Sequence, residues 1–247
     1  MTIHRKLTLA ASLACAFVAS SAQADSLISY GVVPAGTFGV ITVASGVTAT
    51  TVGTLTSPTA LTATPGTSQR SYTDTSGVWS TTENNAGSTG SSVNLVTYSS
   101  ATKDATFDSL SLSLLRKDGD TNILTYALVY RIGTGSFIDP NLTNPTMAGA
   151  VITPTEITFD LSGISDFDLV TAGTSIQFRL LVFASGGTAD ADSAFIFANS
   201  TIGVVNTVNA AFNLEGTLSA IPEPSTYAMI GSILALGVAV CYRRKRS

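Results

Sequence analysis

An antiparallel, all-β sandwich is the fold that the sequence predicts for residues 25–220, with a signal helix before it and a transmembrane helix after it. Two observations predict the sandwich. Apolar and polar residues alternate with period two in several short segments, which Gly, Pro, Asn and Asp separate. Only 11% of the residues are charged while Thr, Ser and Gly are abundant, which is typical of an extracellular β domain and not of disorder.

Residues 1–24 have the three parts of a secretory signal peptide. A basic start precedes an apolar run at 7–19, and Ala22 and Ala24 supply the small residues of a cleavage site. A lipoprotein leader ending at Cys15 is the competing interpretation, but no Leu stands three positions before that cysteine. We therefore expect the chain to be exported, and cleaved after residue 24.

Residues 25–92 are rich in Ser, Thr and Gly and are less regularly patterned than the rest of the domain. Their β-branched residues predict strands at 38–43 and 46–55, with turns at Pro and Gly. A flexible, O-glycosylated stalk is the alternative interpretation of this composition. The pattern does not decide the topology of this region.

Alternation is clearest after residue 105. Leu110, Leu112 and Leu114 alternate with serines and predict a half-buried strand, and a second alternating strand is expected at 124–131. The link between them contains the Asp-Gly pair of a β-hairpin. Later strands are predicted at 156–161, 175–183, 194–198, 202–208 and 212–218.

The residue types of the predicted domain exclude most catalytic chemistry. Its net charge is −9, from six basic and fifteen acidic residues, which argues against nucleic-acid binding. The histidine (His4) and both cysteines (Cys15, Cys241) lie outside it, so it has no Ser-His-Asp triad, Cys-His pair, His-bearing zinc site or internal disulfide. Only a two-carboxylate glycoside hydrolase remains, and the glutamates available to it are Glu83, Glu156 and Glu215.

Two binding sites can be considered for the domain. Asp118, Asp120 and Asn122 alternate as in a calcium loop, although Ile123 stands where an EF-hand has Gly. Calcium is thus the one cofactor with candidate ligands. Solvated turns are the favoured explanation of these residues, and also of the acidic pairs Asp166 with Asp168 and Asp190 with Asp192. Tyr72, Trp79 and Tyr98 could form an aromatic platform for sugars, but a single Trp in a sandwich is more often part of the core.

The most specific signal is the carboxy-terminal segment 221–247. Pro222, Glu223 and Pro224 form a stiff hinge that neither helix nor strand continues through. No charge occurs in 225–242, which would span roughly 27 Å as a helix, slightly less than the hydrocarbon core. A basic stop follows and predicts a cytoplasmic end; it consists of Arg243, Arg244, Lys245 and Arg246.

This order of hinge, apolar run and basic end resembles the PEP-CTERM sorting signal of bacterial exported proteins, also known as the ice-binding-protein C-terminal motif. Ile221 replaces the Val that usually precedes the first Pro. The resemblance implies an exosortase that cleaves near the motif, an inner-membrane-anchored precursor and delivery to the cell surface. An ordinary tail anchor is the alternative.

A second resemblance concerns the domain itself. The tyrosine-bearing strand at 124–131, a loop and the Ile-Gln-Phe-Arg strand at 176–179 are similar to lectin-like jelly-roll domains. Together these features favour an exported, non-catalytic surface or extracellular-matrix protein, with the exosortase, membrane lipid and an extracellular polysaccharide as partners. The alternatives are a carbohydrate-binding or calcium-assisted adhesin module and the two-carboxylate hydrolase.

Overall fold

A computed structural model of the chain describes residues 25–33, 37–50, 54–55, 61–65, 69–74, 92–116, 123–148, 151–185, 194–198 and 210–221, together with Ser232 and Ala235. Most of these residues form strands, and residues 165–168 form one helical turn. The elements are β1 (Asp25–Val33), β2 (Thr37–Val43), β3 (Val47–Thr50), β4 (Thr54–Leu55), β5 (Leu61–Pro65), β6 (Gln69–Asp74), β7 (Ser92–Ser100), β8 (Lys103–Arg116), β9 (Ile123–Ile132), β10 (Thr146–Ala148), β11 (Val151–Asp160), α1 (Ser165–Asp168), β12 (Ser175–Ser185), β13 (Ala194–Ala198) and β14 (Phe212–Ala220).

The strands form two antiparallel sheets. The larger has the order β2–β1–β14–β8–β13–β6–β5, and β11 also pairs with β8. The smaller has the order β10–β9–β12–β7–β3, and β4 also pairs with β7. The prediction of an all-β fold with antiparallel sheets is confirmed. The strands predicted at 156–161, 175–183, 194–198 and 212–218 form β11, β12, β13 and β14, while the one at 202–208 lies outside the described residues.

The long strand β8 lies at the centre of the larger sheet. Leu110, Leu112 and Leu114 are fully buried, while Ser109 and Ser111 on the opposite face are only half-buried, as the alternation predicts. The inner face of the smaller sheet contributes apolar residues of β9 and β12 to the same core, namely Leu124, Tyr126, Leu128, Tyr130, Ile176, Phe178, Leu180 and Val182. Burial between the sheets is therefore the main source of stability.

The Asp-Gly link does not join β8 and β9 as a hairpin, and that prediction is wrong. β8 pairs with β14, β11 and β13 in the larger sheet, whereas β9 pairs with β10 and β12 in the smaller one. The apolar faces of both strands bury against each other only when the strands lie in opposite sheets, about 10 Å apart. The linking residues 117–122 lie outside the described residues.

Six strands form within residues 25–74, where the sequence pattern is weak. β1 lies between β2 and β14 in the larger sheet, and β3 and β4 pair separately with β7 in the smaller one. The strand expected at 46–55 is thus two short strands. The described residues of this region are paired in both sheets and do not form an unpaired stalk.

An aromatic cluster fills the end of the core beside α1. The ring of Phe107 lies 4.9 Å from that of Tyr98, 5.4 Å from that of Phe167 and 5.7 Å from that of Phe178. Phe167 is the buried residue of α1, and its ring lies 4.6 Å from that of Tyr130. The cluster joins both sheets to the helical turn.

The predicted flanking helices fall almost entirely outside the described residues. These do not include the signal segment 1–24, and of the segment 225–242 only Ser232 and Ala235 are described, both helical and exposed. Within the described part of the chain, no helix combines the length and the apolar character that crossing a membrane requires.

Candidate functional site

Most of the sequence-predicted site residues lie outside the part of the chain that the structure describes. They are the cleavage-site residues Ala22 and Ala24, the calcium candidates Asp118, Asp120 and Asn122, the acidic pair Asp190 and Asp192, Trp79, Glu83, the hinge Pro222, Glu223 and Pro224, and the basic stop Arg243, Arg244, Lys245 and Arg246.

The glutamates Glu156 and Glu215 lie on opposite sides of β8 and do not share a site. Glu156 is paired with Ser113 and Glu215 with Ser109. The two glutamates are therefore offset by four residues along the strand direction and by two strand spacings across the sheet, which separates their Cα atoms by roughly 16 Å. Retaining or inverting glycosidases need carboxyl groups within about 10 Å of each other. Glu215 instead accepts hydrogen bonds from Ser109 Oγ at 3.1 Å and Asn213 Nδ2 at 2.8 Å.

Asp160 lies closer to Glu215, on the other side of Ser109. Its Oδ1 accepts hydrogen bonds from Ser162 N at 3.0 Å and Ser162 Oγ at 2.6 Å, and these bonds hold the pKa of the exposed carboxyl below its usual value. A general acid needs a raised pKa, so Asp160 is poorly suited to donate a proton at neutral pH.

The acidic pair Asp166 and Asp168 lies on α1, and both residues are exposed. Asp166 Oδ2 accepts a hydrogen bond of 2.7 Å from the hydroxyl of Tyr130. This bond ties α1 to β9, so Asp166 has a structural role. Within the described ranges, no group of three or more His, Cys, Asp and Glu side chains is placed to hold a metal ion.

Tyr98 does not belong to an aromatic platform, and the sugar-binding hypothesis is wrong for this residue. Its side chain is 1% exposed and packs edge-on against Phe107. It faces the core because it lies on the inner face of β7, between the two sheets. Of the other two candidates, only the backbone of Tyr72 is described, on β6.

Burial raises the pKa of Tyr98 from 10.0 to about 12, which predicts a loss of stability at alkaline pH. The phenol in the unfolded chain ionises near pH 10, while the folded state holds it neutral to about pH 12, so unfolding becomes easier across that range and not below it. Urea unfolding measured from about pH 8 to 12 should show this fall, and Tyr98→Phe should make the curve flatter. An equally steep fall in Tyr98→Phe would contradict the assignment.

A cluster that the sequence did not single out lies on the outer face of the smaller sheet. Its residues, called the arginine patch below, are Asn94, Arg131, Phe137, Gln177 and Arg179. Arg131 pairs across β9 and β12 with Gln177, and Arg179 pairs across β12 and β7 with Asn94. Because their neighbours Tyr130 and Phe178 face the core, these side chains point away from it.

Phe137 comes to the patch from the loop after β9. Gly133 adopts φ 57°, and the chain then turns back so that Ile138 and Tyr130 exchange backbone hydrogen bonds of 2.7 and 3.0 Å. Phe137 packs against a second, smaller apolar cluster on this outer face, formed by Ala127, Val129, Leu181 and Phe183. The ring is therefore held in place between the loop and the sheet.

Both guanidinium groups approach this one ring. Arg179 Cζ lies 3.6 Å from the ring centroid of Phe137 and Arg131 Cζ lies 5.0 Å from it, within the range of cation–π contacts. Arg179 Nε donates a hydrogen bond of 3.2 Å to Asn94 Oδ1. Partial burial, and secondly the charge of Arg131, lower the pKa of Arg179.

A pocket of about 330 Å³ opens at the side of the sandwich. It lies between the loop at 139–143 and the end of β11, and its lining includes Pro140, Leu142, Thr158 and Asp160. Asn141, at φ 55°, shapes the loop by donating its backbone N–H to Asp139 Oδ1 at 2.7 Å. The pocket lining contains one carboxylate, that of Asp160, which already accepts hydrogen bonds from Ser162. The pocket therefore offers few groups that could bind a specific ligand.

Comparison with known proteins adds no family. No protein-family model matches the chain, and no curated protein sequence does. A solved structure of infectious bursal disease virus, Gx strain, aligns with 82% of this chain at 14% identity and a TM-score of 0.25. The chain spans 43% of that viral chain, and a TM-score this low does not relate the two folds.

Proposed function

We propose that the chain is an exported, non-catalytic surface or extracellular-matrix protein of a bacterium. A PEP-CTERM-like tail holds it in the inner membrane until an exosortase-type protease releases it. The observation that carries this proposal is the order of three features in residues 221–247, a Pro-Glu-Pro hinge, an uncharged run and a basic end.

The position of the hinge relative to the domain supports the proposal. The last strand, β14, remains paired with β8 up to Ala220 and Lys103, and Ile221 directly after it is 46% exposed. Pro222 and Pro224 carry no N–H and cannot extend a β-ladder. Because proline cannot continue the ladder, the sequence favours a motif outside the sheet, as cleavage by a protease requires.

Replacing Pro222, Glu223 and Pro224 together by alanine should stop processing. The full-length precursor is then expected to accumulate in the membrane fraction, because the protease loses its motif while the apolar run and basic stop still anchor the chain. Immunoblots of membrane and surface fractions, with the mass of the released form, measure this. Ile221→Val is the matched control, because it restores the more common residue and should be processed normally. Normal release of the triple-alanine variant would contradict the proposal.

Carbohydrate binding by the β domain, arranged as a lectin-like jelly roll, is the second candidate function. The arginine patch favours it, since amide, aromatic and guanidinium groups lie together on an outward sheet face. A calcium-assisted form of this binding would depend on Asp118, Asp120 and Asn122.

A further inference from the structure

The arginine patch contains two cations close to one aromatic ring. Among the described residues, Arg131 and Arg179 form no ion pair with Asp or Glu, and their side chains contact Phe137 and Asn94. This is unusual in a domain with fifteen acidic residues and six basic ones. Two like charges that share one aromatic ring repel each other, and an anion bound between them would remove that repulsion.

Unsatisfied polar atoms lie at the same place. Arg131 Nε is buried and has no hydrogen-bond acceptor in the described part of the chain, and Oε1 of Gln177, directly opposite on β12, is buried without a donor there. Gln177 is only 7% exposed. A buried polar group without a partner is costly, so such atoms often mark a site that a ligand completes.

A β-bulge brings further polar groups to this surface. The register between β7 and β12 shifts after Phe178, so that Arg179 pairs with Asn94 while Gln177 pairs with Thr97. Both Asn94 and Thr97 are half-buried, whereas Leu95 and Val96 between them are buried. The bulge thus places an amide and a hydroxyl beside the arginines, which suits a ligand whose anionic group is surrounded by hydroxyls.

We propose that the arginine patch binds the carboxylate or sulfate group of an acidic polysaccharide. The planar guanidinium forks match an oxyanion, and the amides and the hydroxyl can bind the sugar hydroxyls around it. The domain's net charge of −9 repels densely charged polyanions such as nucleic acids, so the fitting ligand carries isolated anionic groups. This inference rests on the second candidate function and adds the charge class of the ligand.

Binding of the purified full-length chain in non-ionic detergent to defined polymers tests the inference. Polygalacturonate in which most carboxylates are methyl-esterified, so that the free ones are widely spaced, is the carboxylate probe, and its fully methyl-esterified form is the neutral control with the same backbone. Dextran sulfate of low degree of substitution and dextran form the corresponding sulfate pair. We expect the acidic member of at least one pair to bind, and its neutral member not to. The pair that binds identifies the oxyanion.

Variants locate the binding on the patch. Arg131→Gln and Arg179→Gln should each weaken binding about tenfold or more, because each removes charge-assisted hydrogen bonds. Lys103→Gln is the matched control, since it removes the same charge from the larger sheet and should bind as the wild type does. If the glutamine variants misfold, mass mapping of butanedione-modified arginines in the wild type replaces them. The acidic polymer should then protect Arg131 and Arg179 from modification, and its neutral counterpart should not.

Several results would overturn the inference. These are equal binding of acidic and neutral polymers, an unchanged affinity in both glutamine variants, equal losses in Lys103→Gln, or unprotected arginines. Equally tight, arginine-dependent binding of double-stranded DNA or anionic phospholipid vesicles would also overturn it. Binding of neutral polymers alone would leave carbohydrate binding standing without its charge requirement, and no binding to any polymer would end both. The sorting proposal is tested separately by tail processing.

Discussion

Replacing Phe107 by alanine is expected to lower the free energy of unfolding by about 3–5 kcal/mol. Phe107, on the larger sheet, is 1% exposed and contacts the rings of Tyr98 and Phe178 from the smaller sheet and of Phe167 from α1. The truncation removes buried apolar surface and leaves a cavity that these rigid rings fill poorly. Urea unfolding of the wild type and the variant, followed by tyrosine fluorescence, measures the difference.

Leu169→Ala is the control for this prediction. Leu169 lies directly after α1 and is 61% exposed, so its truncation should change the free energy of unfolding by less than about 0.5 kcal/mol. Equal losses in the two variants would mean that the rings around Phe107 do not form the tightly packed centre of the domain.

Replacing Gly216 by alanine is expected to lower the free energy of unfolding by about 3 kcal/mol through overpacking. A Cβ atom here would overlap the carbonyl oxygen of Thr106 on β8 and lie 3.0 Å from Leu27 Cδ1 on β1. The clash is with backbone, which cannot rotate away as a side chain can. It falls where a register shift between Glu215 and Gly216 brings β14 close to β8.

The control is Gly163→Ala, where an added Cβ meets no atom within 4 Å. That variant should be as stable as the wild type or slightly more stable, since alanine restricts the unfolded chain. Thermal unfolding of both variants measures the difference in their stability. A Gly216→Ala protein as stable as Gly163→Ala would contradict the prediction and show that β14 can move away from β8.

Local alternation predicted the strands that have one buried and one solvated face. In β8, Leu110, Leu112 and Leu114 enter the core while Ser109 and Ser111 lie outside it. The period-two pattern of this strand can therefore be recognised from the amino-acid sequence alone. The same reasoning placed β11, whose Ile157 and Phe159 are buried. Such strands need no knowledge of their partners to be recognised.

The first strand, β1, was missed because a β-bulge breaks its period-two pattern. β1 changes register between Ser26 and Ile28 and again between Ser29 and Tyr30, and consecutive residues from Leu27 to Val32 are buried. β7 was missed for the same reason, as its register shift leaves Leu95 and Val96 both buried. The sequence also could not show which of the two sheets contains β9, because an Asp-Gly pair favours a tight turn without deciding whether the next strand joins the same sheet.

The arginine patch could not be found in the sequence because its residues meet only through strand register. Arg131 and Arg179 lie far apart in the chain and become neighbours when β9 pairs with β12. Phe137 reaches them through the turn at Gly133. One signal was available: both arginines end an alternating apolar strand pattern, on the outward side, in a domain poor in basic residues.

The pairing of β1 with β14 has a consequence for the order in which the domain folds. Asp25 lies opposite Gly216 and Tyr30 opposite Phe212, so β1, which is synthesised before the other described strands, acquires its second neighbour only when the last strand arrives. Until then, β1 presents an open hydrogen-bonding edge to which another chain can add. Closing such a long loop is slow, so the sheet is completed late, after nearly the whole domain has been synthesised.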